Sequence, residues 1–316
     1  MNCAACDTMC RRFGKHRNGL QRYRCPKCGK TYTEEHDSPL GSMTVPMDKA
    51  VLALQLLVEG ASIRATERIT GFHRDTILRL LVHAGGKCEA LMGRLIVNIP
   101  VKDVQCDEIW GFVGKKEKSK RGEEESDSTI GSAYTFVAIE RRTKLVLNFT
   151  LGRRDQQTTH TFIEGLRKAT ANDHFQLSTD AFKGYVTAVN LRLSDRVSFG
   201  QLTKIYSASR EGEQRYAPGD VVECVPVPIF GNPDPEKICT SHVERQNLTM
   251  RMQIRRLTRL TNAFSKKREN LWAALCLHFA YYNFCRVHQT LRVTPGMEAG
   301  ITDHVWTIKE LLSTQP

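Results

Sequence analysis

The sequence predicts an α/β protein in which two small N-terminal modules precede a larger body of strands and helices. Three observations predict this organisation: two Cys-x-x-Cys pairs near the N-terminus, three short helical periodicities after them, and alternating strand-like and helix-like segments in the middle of the chain. With 316 residues, the chain is long enough for several domains. The predicted boundaries are 1–40, 45–95, 100–265 and 266–316.

Composition places the chain among ordinary soluble globular proteins, with 41% hydrophobic and 25% charged residues. No segment approaches the roughly 18 uncharged apolar residues that a membrane span requires. The N-terminus lacks the basic-then-apolar pattern of a secretory signal, so we expect a cytoplasmic protein without a membrane partner. In a reducing compartment its 11 cysteines are better candidates for metal ligands or core residues than for disulfides.

The net charge of +12 is concentrated toward the two ends of the chain. Basic residues outnumber acidic ones in residues 1–100, the two balance in residues 101–240, and residues 241–292 carry ten basic and two acidic side chains. A neutral middle between two basic regions suits a polyanion such as DNA, held at both ends of the body. The alternative is a charge distribution that serves solubility alone.

Two cysteine pairs, Cys3 with Cys6 and Cys25 with Cys28, are separated by 18 residues. Each Cys-x-x-Cys turn can aim two thiolates at one ion, and two such turns complete a tetrahedral Zn²⁺ site. A segment this short cannot fold around a hydrophobic core, so zinc binding would supply its stability. We predict a zinc ribbon; a redox pair or chance clustering is the alternative, and Cys10 is either a further ligand or a free thiol.

Three helical stripes follow the cysteine pairs. Met47–Glu59 has apolar residues at helical spacing, Ser62 can cap a second helix that runs to Thr70, and Gly71 separates it from a third at His73–His83. Helix, tight turn and helix is the pattern of a helix-turn-helix module, whose last helix enters the major groove. A plain interaction bundle is the alternative. The predicted DNA-binding residues are Arg64, Arg68, Arg74, Thr76 and Arg79.

The middle of the chain contains the predicted strands of the body. Three strands, one helix and one further strand are expected at Val101–Gly114, Ala133–Glu140, Lys144–Leu151, Thr159–Thr170 and Phe175–Thr179. Three antiparallel strands, a crossover helix and a parallel strand is the order of the ribonuclease-H-like fold. In that order the first and fourth strands are neighbours, so Asp107 and Asp180 are expected to meet at one edge of the sheet.

Two carboxylates that meet repel each other unless they share cations. Mg²⁺ or Mn²⁺ accepts a few carboxylates, with waters and phosphate oxygens as its other ligands. A pair of such ions can activate an attacking oxygen and stabilise a leaving one, which is the chemistry of phosphodiester cleavage and joining. The two aspartates therefore predict a metal-dependent phosphoryl-transfer site, and a third carboxylate is needed to hold the second ion.

Glu244, on a helix predicted at Ser241–Leu260, is the best third carboxylate. Asn247 and Arg251 lie on the same face of that helix. Asn247 could orient the metal or a phosphate, and Arg251 could grip the DNA backbone. The predicted DNA-binding residues on this segment are Arg251, Arg255 and Arg256.

Each carboxylate also has a simpler interpretation. Asp107 adjoins Glu108, and strand alternation is expected to send only one of the two to the site. Asp180 could cap the helix after it, and Glu244 could be a first-turn partner of the helix dipole. These roles are compatible with metal binding.

The last predicted helix, Leu271–Phe284, is apolar and rich in aromatic side chains. This composition favours a place in the core or in a dimer interface over a base-stacking platform. Asn283, Arg286 and His288 end the helix with polar groups that could reach DNA.

Four separated blocks resemble the DDE transposases of the insertion-sequence-one family. They are CDEIWGFVG at 106–114, STDAFKGY at 178–185, the segment from HVERQN through RRLTR to FSKK at 242–267, and YNFCRVHQTL at 282–291. With the cysteine pairs and the helical module, the resemblance covers nearly the whole chain. Lys204–Asp234 departs from the family pattern as a long polar insertion. The fifth strand is expected at Val197–Tyr206 or Val221–Phe230.

The resemblance implies a catalytic role for Asp107, Asp180 and Glu244. Asn247 and Arg251 match the asparagine and the basic residue that follow the family's glutamate. A nucleoid-associated DNA transposase is implied, which binds terminal inverted repeats, cleaves the ends with Mg²⁺ or Mn²⁺ and joins the 3′-hydroxyls to target DNA. A homodimer or higher assembly is implied as well. Two alternatives stay open: a domesticated, non-catalytic DNA-binding regulator, and another ribonuclease-H-like nuclease that acts on branched DNA.

Overall fold

The computed structural model describes residues 1–16, 19–34, 39–207 and 220–314 of the chain. They form two compact units, 1–42 and 43–316. Within the described ranges, no helix combines the length and the apolar character needed to cross a membrane. The finer boundaries predicted inside the second unit stay predictions, and residues 208–219 of the predicted insertion lie outside the described ranges.

The first unit contains a small antiparallel sheet. Its strands, adjacent in chain order, are β1 (Arg11–Lys15), β2 (Gln21–Arg24) and β3 (Thr31–Thr33). Beside them Cys3, Cys10 and Cys25 form a buried cluster against which Tyr23 and Tyr32 pack. Because three cysteines bury little apolar surface, hydrophobic burial contributes little to the stability of this unit.

The second unit begins with three helices and continues with a six-stranded mixed sheet and further helices. The first helices are α1 (Met47–Val58), α2 (Ile63–Thr70) and α3 (Arg74–Leu95). The strands are β4 (Asp103–Val113), β5 (Gly131–Glu140), β6 (Val146–Gly152), β7 (Phe175–Asp180), β8 (Val197–Tyr206) and β9 (Val221–Phe230). The remaining helices are α4 (Gln156–Ala169), α5 (Lys183–Leu193), α6 (Ser241–Gln253), α7 (Arg268–Ala280), α8 (Pro295–Glu298) and α9 (Ile308–Ser313).

The large sheet has the strand order β6–β5–β4–β7–β8–β9. β4, β5 and β6 are antiparallel neighbours, β7 runs parallel to β4, β8 runs parallel to β7, and β9 is antiparallel to β8. The predicted α/β class and the predicted adjacency of the first and fourth strands are therefore confirmed. Both segments considered for the fifth strand form strands, because the chain turns back after β8 and adds β9 as an outer edge. β9 is largely exposed and carries Pro226 and Pro228.

Helices cover both faces of this sheet. On one face, the ring of Phe136 in β5 packs against Phe162 of α4 and Tyr185 of α5. On the other face, the ring of Phe149 in β6 packs against Trp272 and Phe279 of α7. The last helices therefore belong to the core, as their apolar composition predicted.

α3 is longer than the sequence predicted, because it continues past His83 to Leu95. The glycine pair at residues 85–86 does not end the helix. Gly85 lies where α3 crosses α7, and a Cβ atom there would stand 2.6 Å from the Cα atom of Ala273. The glycine is thus required for close packing of two helices rather than for a turn.

α6 is shorter than the predicted helix that ended at Leu260. It stops at Gln253, Ile254 takes an extended conformation, and a single 3₁₀ turn follows at Arg255–Leu257. This turn brings Leu257 into the core, with 4% of its surface exposed. Burial of that side chain explains why the helical periodicity continues in the sequence after the helix has ended.

Candidate active site

Three carboxylates converge where β4 and β7 separate. The parallel pairing of these strands ends with Cys106 opposite Thr179, and the next residues are Asp107 and Asp180. Carboxylate oxygens of Asp107, Glu108 and Asp180 all lie within 4.8 Å of one another. The structure therefore brings together the two predicted aspartates and adds a glutamate.

The prediction that strand alternation would send only one of Asp107 and Glu108 to the site is wrong. Glu108 lies opposite Phe136, on the face covered by α4 and α5, whereas Asp107 accepts a hydrogen bond from Asn247 on the other face. β7 ends at Asp180, so no strand separates the two faces at this edge. Side chains from both faces can turn into the same gap.

Burial raises the pKa of all three carboxyl groups. The pKa of Asp107 rises to about 7, with a second contribution from the charge of Asp180, and the pKa of Glu108 rises to about 8. The pKa of Asp180 is raised for the same reason. Ionised carboxylates this close together are unfavourable, so the cluster binds either protons or a cation.

We expect the metal-free protein to lose stability as the pH rises from about 4 to about 8. The unfolded chain releases these protons near pH 4, whereas the folded chain keeps them until pH 7 to 8, because the pKa values of Asp107 and Glu108 are raised. Melting in a chelator at pH 5 and at pH 8 measures the effect. Each 1 kcal/mol lost lowers Tm by about 2–4 °C in a domain of this size.

Asp107→Asn should flatten this pH dependence. The matched control is Asp195→Asn, which removes an exposed aspartate whose pKa is lowered by Arg167. That variant should keep the downward slope of the parent protein. A Tm that rises between pH 5 and pH 8 in chelator would contradict the protonated cluster.

An arginine that the sequence did not single out neutralises part of the cluster. Arg154 Nη2 lies 3.1 Å from Asp180 Oδ2, and Arg154 Nε lies 3.4 Å from Glu108 Oε2. The guanidinium stacks over the ring of Phe182 at 4.3 Å from its centroid. Only 3% of the Glu108 side chain is exposed, and no described residue donates a hydrogen bond to its Oε1. Arg154 therefore compensates the carboxylates only in part.

Glu244 stands at the side of the three-carboxylate cluster rather than within it. Its Oε1 accepts hydrogen bonds from Lys204 of β8 and from the hydroxyl of Thr240. The side chain is 40% exposed and lines the same pocket of about 460 Å³ as Asp107 and Asp180. The predicted third carboxylate thus faces the site, with a lysine as its present partner.

Asn247, which was expected to orient the metal or a phosphate, contacts the carboxylate of Asp107. Its Nδ2 donates to Asp107 Oδ2 at 2.8 Å, and its Oδ1 is buried without a partner among the described residues. The side chain therefore fixes the orientation of Asp107 directly. Its amide oxygen remains available to the pocket.

The arginines that follow Asn247 divide into buried and exposed groups. Arg251 donates to the carbonyl oxygens of Leu257 and Trp110 at 3.0 and 3.2 Å, and burial lowers its pKa to about 10. Arg256 is largely buried and donates to Ser265 Oγ at 3.0 Å, so the structure places it inside the turn rather than on a DNA-facing surface. Arg255 is exposed as predicted.

The helical module has the predicted geometry of two helices joined by a tight turn. Ser62 Oγ accepts from the backbone N–H of Ala65 at 3.1 Å, and Gly71 ends α2 with a φ of 72°. Arg64 lies 3.0 Å from Glu67 in an ion pair. The predicted DNA-binding residues are exposed, except for the half-buried Thr76; they are Arg64, Arg68, Arg74, Thr76 and Arg79.

The four predicted zinc ligands converge in the first unit. The Sγ atoms of Cys3, Cys6, Cys25 and Cys28 all lie within 4.8 Å of one another. Cys3 and Cys28 are 3.5 Å apart and Cys6 and Cys25 are 3.4 Å apart, close to the edge of about 3.8 Å that Zn–S bonds of about 2.3 Å produce. Cys10 is buried beside this group but does not belong to it.

The ligand cluster also has a supporting hydroxyl. The Tyr32 hydroxyl lies 3.0 Å from Cys3 Sγ and lowers the pKa of that thiol to about 6. A thiolate is the form that binds metal. Four convergent sulfur atoms, one of them stabilised as an anion, fit zinc.

No family model and no curated protein matches this chain. Among solved structures it is similar to a piggyBac transposase synaptic complex with hairpin DNA, at 11% identity and a TM-score of 0.39 over 86% of this chain and 72% of that chain. It is also similar to the Mos1 strand transfer complex, at 14% identity and a TM-score of 0.19 over 52% of this chain and 60% of that chain. Both TM-scores are low, so neither similarity supports a conclusion about the function of this chain. The resemblance to the insertion-sequence-one family stays a prediction from the sequence.

Proposed function

We propose that the protein is a DNA transposase with a ribonuclease-H-like catalytic domain, in which Asp107, Asp180 and Glu244 hold the divalent ions for strand cleavage and joining. One observation carries the proposal. Asp107, Asp180, Glu244 and Asn247 come from two parallel neighbouring strands and one helix, and they line a single open pocket. The strand order, with three antiparallel strands followed by two parallel ones, supports the fold assignment.

The donor set fits Mg²⁺ or Mn²⁺. All the candidate ligands are oxygens, which hard divalent cations prefer. The unpartnered Glu108 Oε1 and Asn247 Oδ1 and the raised pKa values of the carboxyl groups fit a cation, which would balance this charge. Asp107, Asp180 and Glu244 would hold the metal, with Glu108 as a further carboxylate in the same cluster. Such ions activate an attacking oxygen and stabilise a leaving one.

The protein's own side chains account for the remaining features of the pocket. Asn247 fixes one carboxylate of the cluster, and Arg154 and Lys204 balance part of its charge. Arg259 is exposed and lines the pocket as well. A phosphodiester entering between these cations would be attracted to them.

Two successive phosphoryl transfers complete the proposal. In the first, a water oxygen attacks the phosphorus at the end of the element, and the bond to the 3′-oxygen breaks to leave a 3′-hydroxyl. In the second, that hydroxyl oxygen attacks a phosphorus of target DNA and displaces its bridging 3′-oxygen. The exposed arginines of α2 and α3 and the zinc unit would recognise the terminal repeats. This specificity for transposon ends rests on the resemblance of the four sequence blocks.

The test uses the full-length protein and linear DNA that ends in the inverted repeats flanking its gene. We expect sequence-dependent binding, followed by cleavage and joining that require Mg²⁺ or Mn²⁺. The products are resolved on denaturing gels with labelled strands. Binding to the repeats without cleavage in either metal would refute the enzyme and favour the regulator. Cleavage of branched DNA in preference to repeat ends would favour another nuclease.

A further inference from the structure

The side chains of α6 form three faces, and each face has different surroundings. At 3.6 residues per turn, Glu244 and Asn247 share one face, which lines the carboxylate pocket. Val243 and Met250 are fully buried and form a second face against the core. The third face, which carries Arg245, points away from both. The function proposed above uses only the first of these faces.

The third face borders a second pocket of about 470 Å³. We name it the basic pocket and define it by five of its side chains, which come from the β5–β6 turn, from α6 and from the segment after the last long helix. They are Lys144, His242, Arg245, Arg286 and His288. Within the described part of the chain, no aspartate or glutamate lines it.

Among the described residues that line the basic pocket, no acidic side chain neutralises the positive charges. Arg245 and Arg286 are exposed, and neither guanidinium has an ion-pair partner among the residues that the structure describes. Lys144 Nζ donates to the backbone carbonyl of Arg141 and lies 3.3 Å from His242 Nδ1, and neither of these partners is a carboxylate. A carboxylate close behind the pocket, Glu140, is buried and accepts hydrogen bonds from the backbone N–H and hydroxyl of Thr143. An anion from outside would complete this arrangement.

The C-terminal sequence block takes part in this pocket rather than in the carboxylate pocket. Asn283, which was expected to be able to reach DNA, is fully buried and exchanges hydrogen bonds of 3.0 Å with the backbone N–H and carbonyl of Val146. That anchor holds the following residues beside the β5–β6 turn. Arg286 and His288 are thereby placed next to Lys144.

We propose that the basic pocket binds phosphates of the DNA backbone, at a segment other than the one that meets the carboxylates. The proposal rests on the proposed function for the identity of its ligand as DNA. The two pockets lie on different faces of α6, whose width with side chains is roughly 10–12 Å, so one phosphodiester cannot occupy both. DNA held in the basic pocket would therefore flank the reacting bond or belong to a second duplex.

The test measures duplex affinity against salt concentration, without added Mg²⁺ or Mn²⁺ and in an Asp107→Asn background, so that no catalysis intervenes. Lys144→Gln, Arg245→Gln and Arg286→Gln are made singly and together. Each lost phosphate contact should reduce the slope of log affinity against log salt by about 1, and the triple variant by about 3. Lys309→Gln, an exposed lysine on α9, is the matched control and should keep the slope.

Further arms separate the explanations. Arg245→Lys and Arg286→Lys keep the charge and should keep most of the slope, which a purely structural role would not predict. An unchanged slope in the triple variant would contradict the proposal that the basic pocket binds DNA phosphates. If the parent cleaves no DNA although the triple variant loses slope, the proposed enzyme fails while the basic pocket stands.

Discussion

Asp107→Asn and Asp180→Asn should each abolish divalent-dependent DNA cleavage and joining while leaving DNA binding without added Mg²⁺ or Mn²⁺ intact. Asparagine keeps the shape of the side chain but removes the charge that a divalent ion requires. The loss should exceed the roughly 10- to 100-fold effect of removing a residue behind a metal ligand. Glu244→Gln should behave in the same way, because its carboxylate faces the same pocket.

Single-turnover assays with labelled repeat ends measure this effect. Asp195→Asn makes the same chemical change in an exposed aspartate that pairs with Arg167, and it should retain full activity. Asn247→Ala should lose roughly 10- to 100-fold, since it acts through the orientation of Asp107. Undiminished strand joining by any of the three carboxylate variants would contradict the assignment.

Removal of zinc should unfold the first unit. Its buried cluster consists of cysteines, so little but the metal would hold the strands together. Structural zinc contributes about 10–16 kcal/mol of apparent binding energy in zinc-finger peptides at neutral pH, far more than this cluster can supply by burial. A strong chelator should therefore abolish hydrogen-exchange protection across β1, β2 and β3.

The cysteines provide an internal control for this prediction. Cys3→Ser and Cys25→Ser remove two of the four convergent sulfurs, whereas Cys10→Ser removes a buried sulfur that lies outside the group. Metal analysis should find one zinc per chain in the parent and in Cys10→Ser, and none in the other two variants. Equal zinc loss in Cys10→Ser, or a parent protein that takes up no zinc, would show that the four-sulfur site is wrong.

The meeting of Asp107 and Asp180 could be predicted because strand order alone determines it. Once the fourth strand is parallel to the first and adjacent to it, residues at matching heights become neighbours. The four cysteine ligands could also be predicted, because the Cys-x-x-Cys spacing determines the local geometry. In both cases a simple geometric rule is enough to predict which residues meet.

Glu108, Arg154 and Lys204 were missed for reasons that are physical. Alternation is a rule for the interior of a sheet, and it fails at Glu108 because β7 ends beside it. Arg154 lies in the connection between β6 and α4, and no sequence pattern gives the distance from a loop to a strand end. Lys204 reaches Glu244 only because β8 is parallel to β7. The sequence left two candidate segments for the fifth strand, so it could not place Lys204 in the sheet.

The helical boundaries failed where tertiary packing overrides local preference. The third helix was predicted to end at His83, but α3 continues to Leu95 through Gly85, which serves a close crossing with α7. The apolar stripe after α6 predicted more helix, but Leu257 reaches the core from a 3₁₀ turn. The residues that Gly85 and Leu257 contact are distant in sequence, so a short stretch of sequence cannot predict these contacts.

The two prolines of β9 have a consequence for how this protein behaves at high concentration. An exposed edge strand offers unpaired backbone groups to the edge of another molecule, which is a common route to aggregation. Pro226 and Pro228 have no N–H to offer, so at these two positions β9 cannot donate to a strand of another molecule. The β9 edge is therefore a poor template for strand pairing between molecules.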